Sequence, residues 1–243
     1  MTIKNPAKTS YLSSCLDLIS FTSYSRKDYE SAVLSKDNKY VIFDFDGTIA
    51  DTYNLAVEEL NQLGKKYKLE KVSPSLGREY PLKDALKKAG VRWYQTYAIA
   101  RELKSAMAQK LDLIKPYAGL VSQLNLLKSE GYRLGIMTSN SANLVENFLR
   151  NHQIDAFDFI YSGSSLFAKN KLIRRIRYRL GTPEILYIGD EVRDIEAMKK
   201  AQVDLIAVSW GWNSHKLLTS HQPQVLINSV EQLSCAVVNM LPL

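Results

Sequence analysis

Apolar residues fall into two patterns along the chain. Short, nearly continuous runs at Tyr40–Phe45, Arg133–Met137, Phe157–Tyr161, Ile185–Ile188 and Leu205–Val208 predict buried strands. Between the later runs apolar positions return at helical spacing. They predict helices over Leu120–Ser129, stopped by Gly131, and over Ala142–Asn151, Lys171–Leu180 and Asp194–Ala201. Strands alternating with helices predict an α/β fold, a doubly wound parallel sheet. The alternation fails once. From Tyr53 to about Leu113 the pattern is helical and charged, with a helix from Leu55 ending near Gly64 or Leu69, a second over Leu82–Ala89 and a third over Trp93–Leu111. Lys115-Pro116-Tyr117-Ala118-Gly119 ends this stretch. Residues 1–38 form a polar leader in which Leu12, Cys15, Leu16 and Ile19, with Leu18 beside them, could line one face of a short helix. The division expected is leader 1–38, an α/β core of 39–52 and 114–243, and a helical insert over 53–113.

Open parallel sheets bind ligands at the carboxyl ends of their strands, and the polar residues that follow the strands fit that rule. The first strand runs into Asp44-Phe45-Asp46-Gly47-Thr48-Ile49-Ala50-Asp51-Thr52. Side chains two apart in an extended chain point the same way, so Asp44 and Asp46 would repel unless a proton or a cation lay between them. Magnesium takes oxygen ligands and keeps positions open for phosphate. One carboxylate could then attack while its neighbour exchanges protons with a leaving group. Thr138-Ser139-Asn140 follows the second strand, where a hydroxyl and free backbone amides could cradle phosphate; the same residues could equally cap the next helix. Gly189-Asp190-Glu191-Val192-Arg193-Asp194 follows the strand at 185–188. A purely structural reading makes Asp190 a helix cap and Asp194 a first-turn acid.

The run Tyr40–Thr52 resembles the first motif of the haloacid dehalogenase superfamily, mostly phosphohydrolases, and Thr138, Lys169 or Lys171, and Asp190 with Asp194 resemble the motifs that follow. Pro116–Leu120, Leu127–Gly131 and Val208–Ser214 look like phosphoglycolate phosphatases and their relatives. The resemblance covers about residues 40 to 235. It implies a Rossmann-like core with a small helical cap after strand 1, and a Mg²⁺-dependent phosphatase. Asp44 would be the nucleophile, Asp46 the acid and base, and Thr138, Ser139 and Asn140 the phosphate contacts. Asp44, Asp190, Asp194 and the backbone carbonyl of Asp46 would surround the metal, with Glu191 a less favoured ligand. The family lysine usually precedes a proline-containing turn. No proline follows here, and Lys169 is preferred to Lys171 for its spacing from Asp190. In the cap, Arg78 and Lys83 are candidate contacts for an anionic substrate, against a plain reading as solvated surface. A haloacid dehalogenase would not need Asp46 and Asp190. A phosphomutase would share every motif, and a non-catalytic binding module would have no use for the acidic set.

Composition adds bounds. The 243 residues suffice for a sizeable core. The net charge of +7 could reflect an acidic partner, but a lysine-rich composition explains it as well. Lys169, Lys171, Arg174, Arg175, Arg177 and Arg179 crowd one helix whose buried stripe would be Leu172, Ile173, Ile176 and Leu180; a solvated face is preferred to a landing strip for nucleic acid or lipid. No apolar stretch is long enough to span a membrane, and Tyr11–Phe21 makes a poor secretory signal. Cys15 and Cys235 stand alone, which suits buried structural thiols and a reducing, cytoplasmic location. His152, His215 and His221 lack zinc-site spacing. The partner expected is a small phosphorylated metabolite, with a homodimer left open through the leader.

Overall fold

The computed structural model describes residues 38–162, 169–181 and 184–243. The leader residues Leu12, Cys15, Leu16, Leu18 and Ile19 lie outside the described residues. Among the described residues six strands form one parallel sheet: β1 Tyr40–Phe43, β2 Arg133–Met137, β3 Phe159–Tyr161, β4 Ile185–Gly189, β5 Asp204–Val208 and β6 Val225–Ile227. Their order is β3-β2-β1-β4-β5-β6. Phe43 pairs with Ile136 on one side and Ile188 on the other, so β1 is central. Successive strands step outward from β1 in one direction and from β4 in the other. The reversal lies between β1 and β4, where open sheets form their binding crevice.

Both faces of the sheet are covered, which is why these strands are apolar throughout rather than alternating. On one face Val41, Phe43, Leu134, Ile136, Leu186 and Ile188 share a core with helices α5 (Leu120–Ser129), α6 (Ala142–Asn151) and α10 (Leu233–Met240). Side chains of opposite parity, Tyr40, Ile42 and Tyr187, are equally buried. Helices α7 (Lys169–Leu180) and α8 (Val192–Ala201) pack against each other, and α8 lies on β4 and β5. The basic face of α7 has a structural use: Arg174 and Arg177 donate to the carbonyls of Lys200 and Gln202, the C-terminal end of α8, where cations suit both orphan carbonyls and the helix dipole. Lys171 and Arg175 stay exposed. Leu172 is half-buried rather than part of the fully buried stripe.

Between β1 and α5 come α1 (Tyr53–Tyr67), the one-turn α2 (Leu76–Glu79), α3 (Leu82–Lys88) and α4 (Thr96–Gln109), then α9 (His215–Ser220) follows β5. The helix expected over Trp93–Leu111 is divided: Trp93–Gln95 is a 3₁₀ turn, α4 proper ends at Gln109, and a second 3₁₀ turn covers Leu111–Leu113. Helix α2 carries too few apolar residues to register as a periodic segment. Cys235 corrects another expectation. It is an exposed free thiol, because α10 buries Leu233 and Val237 and turns residue 235 outward. No helix of the described residues is long and apolar enough to cross a membrane.

Phe148 of α6 is fully buried, with its ring edge-on to Phe45 at 5.1 Å and 4.6 Å from His152. We expect Phe148→Ala to cost about 3–5 kcal/mol by urea denaturation. Tyr178→Ala, at an 88% exposed position, should change stability by no more than about 0.5 kcal/mol.

Candidate active site

Three acids meet where β1 and β4 lie side by side. Asp44 follows β1, Asp190 follows β4, and Asp194 lies in the first turn of α8. One carboxylate oxygen from each lies within 4.8 Å of the others, and all three residues are buried. Lys169, the first residue of α7, is buried with them and donates to both Asp44 Oδ2 and Asp194 Oδ1; the Tyr187 hydroxyl lies 3.3 Å from its Nζ. Asp44 Oδ1 accepts from the amide of Phe45 at 2.9 Å. Asp190 accepts from the Thr48 hydroxyl and the Trp212 amide, both at 2.7 Å. Asp194 also accepts from the Glu191 amide in a capping box, so the box is made by Glu191 and Asp194 rather than by Asp190.

Burial sets the protonation behaviour of this cluster. It pushes Asp44 up to about 7 against the opposing pull of Lys169. It also pushes Asp190 well above the usual carboxylate range, with Glu191, Asp44 and Asp194 adding repulsion. Burial works against charge on Lys169 too, but Asp194 and Asp44 outweigh it and hold the ammonium form. Three clustered carboxylates against one lysine leave excess negative charge among hard oxygen donors. That donor set fits a divalent cation such as Mg²⁺.

Asp46 goes elsewhere. The extended run ends at Phe43, and the chain turns through Gly47 at φ +78°. The Asp46 carboxylate is not among the three that cluster. Asp46 Oδ2 accepts from Asn140 Nδ2 at 2.8 Å, outside the cluster of three. Burial raises its pKa, opposed by the Asn140 hydrogen bond. Thr138 is fully buried at the end of β2 and its Oγ1 accepts from the Asn140 amide at 3.0 Å. A hydroxyl that accepts still has its proton to donate. The cap of α6 is Ser141, so Thr138 is free of that task. The carbonyl of Ser139 accepts from Lys104 Nζ of α4 at 2.7 Å.

Two glycines let the backbone close over Asp190. A Cβ on Gly47 would lie 2.1 Å from Asp190 Oδ2, and one on Gly211 would lie 2.3 Å from the same atom. The loop after β5 also holds the insert. Arg78 Nη1 donates to the Gly211 carbonyl at 2.8 Å, Asn213 Nδ2 to the Gly77 carbonyl at 2.9 Å, and the Ser214 amide to the Arg78 carbonyl at 2.9 Å. The Arg78 guanidinium lies 4.4 Å over the Tyr53 ring. Arg78 is thus engaged with protein groups, and Lys83 is exposed, outside the lining of the cavity beside the site. That cavity, of about 160 Å³, lies between insert and core and reaches Asp46, Ser139 and Asn140.

A family model for haloacid dehalogenase-like hydrolases matches residues 41–208, more than half of the chain. The chain belongs to this family. Among curated proteins, the phosphoglycolate phosphatase of Synechococcus elongatus is 25% identical over 207 residues, covering 83% of this chain and 98% of the relative. That of Aliivibrio fischeri is 26% identical over 237 residues, covering 84% and 98%. Among solved structures, one from Clostridium acetobutylicum described as a predicted phosphatase superposes with a TM-score of 0.71, at 23% identity, over 83% of this chain and 99% of its own.

In this haloacid dehalogenase-like hydrolase, sequence reasoning passed over Lys104, Arg193 and Trp212. Arg193 pairs with Glu191 and lines the cavity beside Asp46. Its place in the fourth motif was a usable signal. Lys104 gave none, since it reaches Ser139 only because α4 folds back over β2. Lys169 is buried in the cluster and Lys171 is exposed, a choice that spacing alone left narrow.

Burial pushes the Asp44 carboxyl up to about 7 in the fold, against 3.8 as a free side chain. The stability it contributes is full below the lower value and lost as pH rises through the upper one. Asp46 and Asp190 shift the same way. With a chelator present, the melting temperature should fall from about pH 5 to about pH 8, and Asp44→Asn should flatten that fall. Added Mg²⁺ should restore most of the loss at the alkaline end. A chelated melting temperature that rises across this window would contradict the assignment.

Proposed function

We propose that the chain is a cytoplasmic, Mg²⁺-dependent phosphatase that hydrolyses a small phosphate monoester through an aspartyl phosphate on Asp44. The observation that carries the reading is the separation of the two motif carboxylates. Asp44 lies in a buried anionic cluster beside Lys169, whereas Asp46 faces a cavity and hydrogen-bonds Asn140. One is suited to attack and the other to carry a proton at the leaving-group side. The names of the phosphoglycolate phosphatases that it resembles along most of its length support the same reaction class.

In the first step an Asp44 oxygen bonds to phosphorus as the bond from phosphorus to the ester oxygen breaks, and Asp46 gives its proton to the departing alcohol. Burial shifts the Asp46 carboxyl upward, the direction that favours the protonated form this step draws on. In the second step Asp46 takes a proton from water, the water oxygen bonds to phosphorus, and the Asp44 carboxylate is released with inorganic phosphate. Lys169 orients Asp44 and places positive charge beside the transferring group, while Thr138 donates its hydroxyl proton and the amide of Ser139 assists. When bound by Asp44, Asp190, the carbonyl of Asp46 and the nearby Asp194, Mg²⁺ supplies further charge to the phosphoryl oxygens. Arg78 acts here as an anchor between insert and core and reaches substrate only if the Gly211 contact opens. The insert serves as a cap that shields the reaction from bulk water.

Asp44→Asn should lower turnover of 4-nitrophenyl phosphate by about 10³-fold or more, equivalent to about 4 kcal/mol of barrier, while the circular dichroism spectrum is unchanged. Near-normal turnover in that variant would defeat the mechanism. Excess EDTA should abolish activity, with Mg²⁺ restoring it, and Lys169→Ala should damage turnover far more than Lys171→Ala. Steady-state assays of the three proteins, with and without metal, check both points.

A further inference from the structure

Protein interiors are packed as densely as organic crystals and keep few voids larger than a water molecule. The helical insert departs from this. Leu60 of α1, Leu82 and Leu86 of α3, and Leu103 and Met107 of α4 face one another across the cavity of about 160 Å³ and are left half-buried. The insert's apolar faces meet around a hollow in place of a filled core. A hollow lined this way is a poor home for water; an engineered apolar cavity of about 150 Å³ stays dry and takes up benzene.

Among the described residues, the charged ones lining the cavity are Asp46, Lys104, Glu191 and Arg193. Lys104 donates to the Ser139 carbonyl and Arg193 is paired with Glu191. The remaining walls toward α3 and α4 are apolar apart from Thr96. Asp46, the proton donor proposed above, lines this space.

We infer that the substrate is a phosphate monoester whose leaving alcohol carries an apolar chain or ring of about six carbons, seated in the hollow of the insert. This rests on the phosphatase reading above and names its substrate class. A leaving group as short and charged as glycolate would leave the walls unfilled.

Straight-chain alkyl phosphates from ethyl to octyl test this, because their alcohols are similar leaving groups. With Mg²⁺ present, kcat/KM should rise roughly threefold to fourfold per added methylene and level off near hexyl, and hexyl phosphate should exceed phosphoglycolate. Ala100→Phe, which fills the hollow from α4, should abolish the rise with chain length. The Asp44→Asn protein, titrated calorimetrically with methyl-, butyl- and hexylphosphonate, should show affinity increasing along the series. A flat alkyl series or a preference for phosphoglycolate overturns the inference while leaving a phosphatase. If no ester is hydrolysed but phosphonate affinity still climbs with length, the phosphatase reading fails and the apolar site stands. If there is neither hydrolysis nor length dependence, both fall.

Discussion

Three carboxylates forced together out of water are the constraint around which this protein is built. Isolated buried anions are among the most expensive features a fold can carry. Here each acid is tied to a named donor: Asp44 to the Phe45 amide and Lys169, Asp190 to Thr48 and the Trp212 amide, Asp194 to Lys169 and the Glu191 amide. Those donors come from the turn after β1, the start of α7, the start of α8 and the loop after β5. The strand order is what brings them within reach, since β1 and β4 are neighbours although about 140 residues separate them in the chain. The glycines at 47 and 211 follow from the same constraint, because a side chain at either position would occupy the space of the Asp190 carboxylate.

The loop after β5 couples the two halves of the site. Its Trp212 amide holds Asp190 in the acidic cluster, while Gly211 and Asn213 receive and send hydrogen bonds to Arg78 and Gly77 of the insert. Trp212 also stands edge-on to Tyr53 at 5.5 Å and donates to the Thr52 hydroxyl. The position of the insert is therefore not independent of the cluster. A shift of α2 would pull on the backbone that carries one of Asp190's two donors. Lys104 makes a second tie at the opposite edge, from α4 to the Ser139 carbonyl.

Much of the core was legible because parallel strands buried on both faces leave continuous apolar runs. Arg133–Met137, Leu120–Ser129 and Ala142–Asn151 have the predicted bounds. Strand ends were less legible. β1 stops at Phe43, two residues short of the apolar run: Phe45 lies in the bend that follows, its ring buried edge-on to Phe148 of α6. Alternation carried through residue 45 put Asp44 and Asp46 on one face; the structure groups Asp44 with Asp190 and Asp194 and ties Asp46 to Asn140. Strand–acid–helix succession also marked Asp190 and Asp194. It could not show that Asp194 serves Lys169 and the capping box at once, since both partners depend on where α7 comes to rest.

The insert was legible only as helices, for a physical reason. Amphipathic spacing reports that one face of a helix is apolar, and it reads the same whether that face meets a neighbour or an open space. Ile99, Leu103 and Met107 show the ambiguity. All three sit at helical spacing on α4 and line the cavity, yet Ile99 is buried while Leu103 and Met107 are half-buried. The phosphoryl machinery needs particular groups at particular strand ends, and such demands leave short motifs. A leaving-group site made of apolar walls demands only volume and shape, which helices of many sequences can supply. On the function proposed, the phosphoryl chemistry is written in the strand ends, whereas the choice of alcohol is written in how far apart the helices of the insert stand.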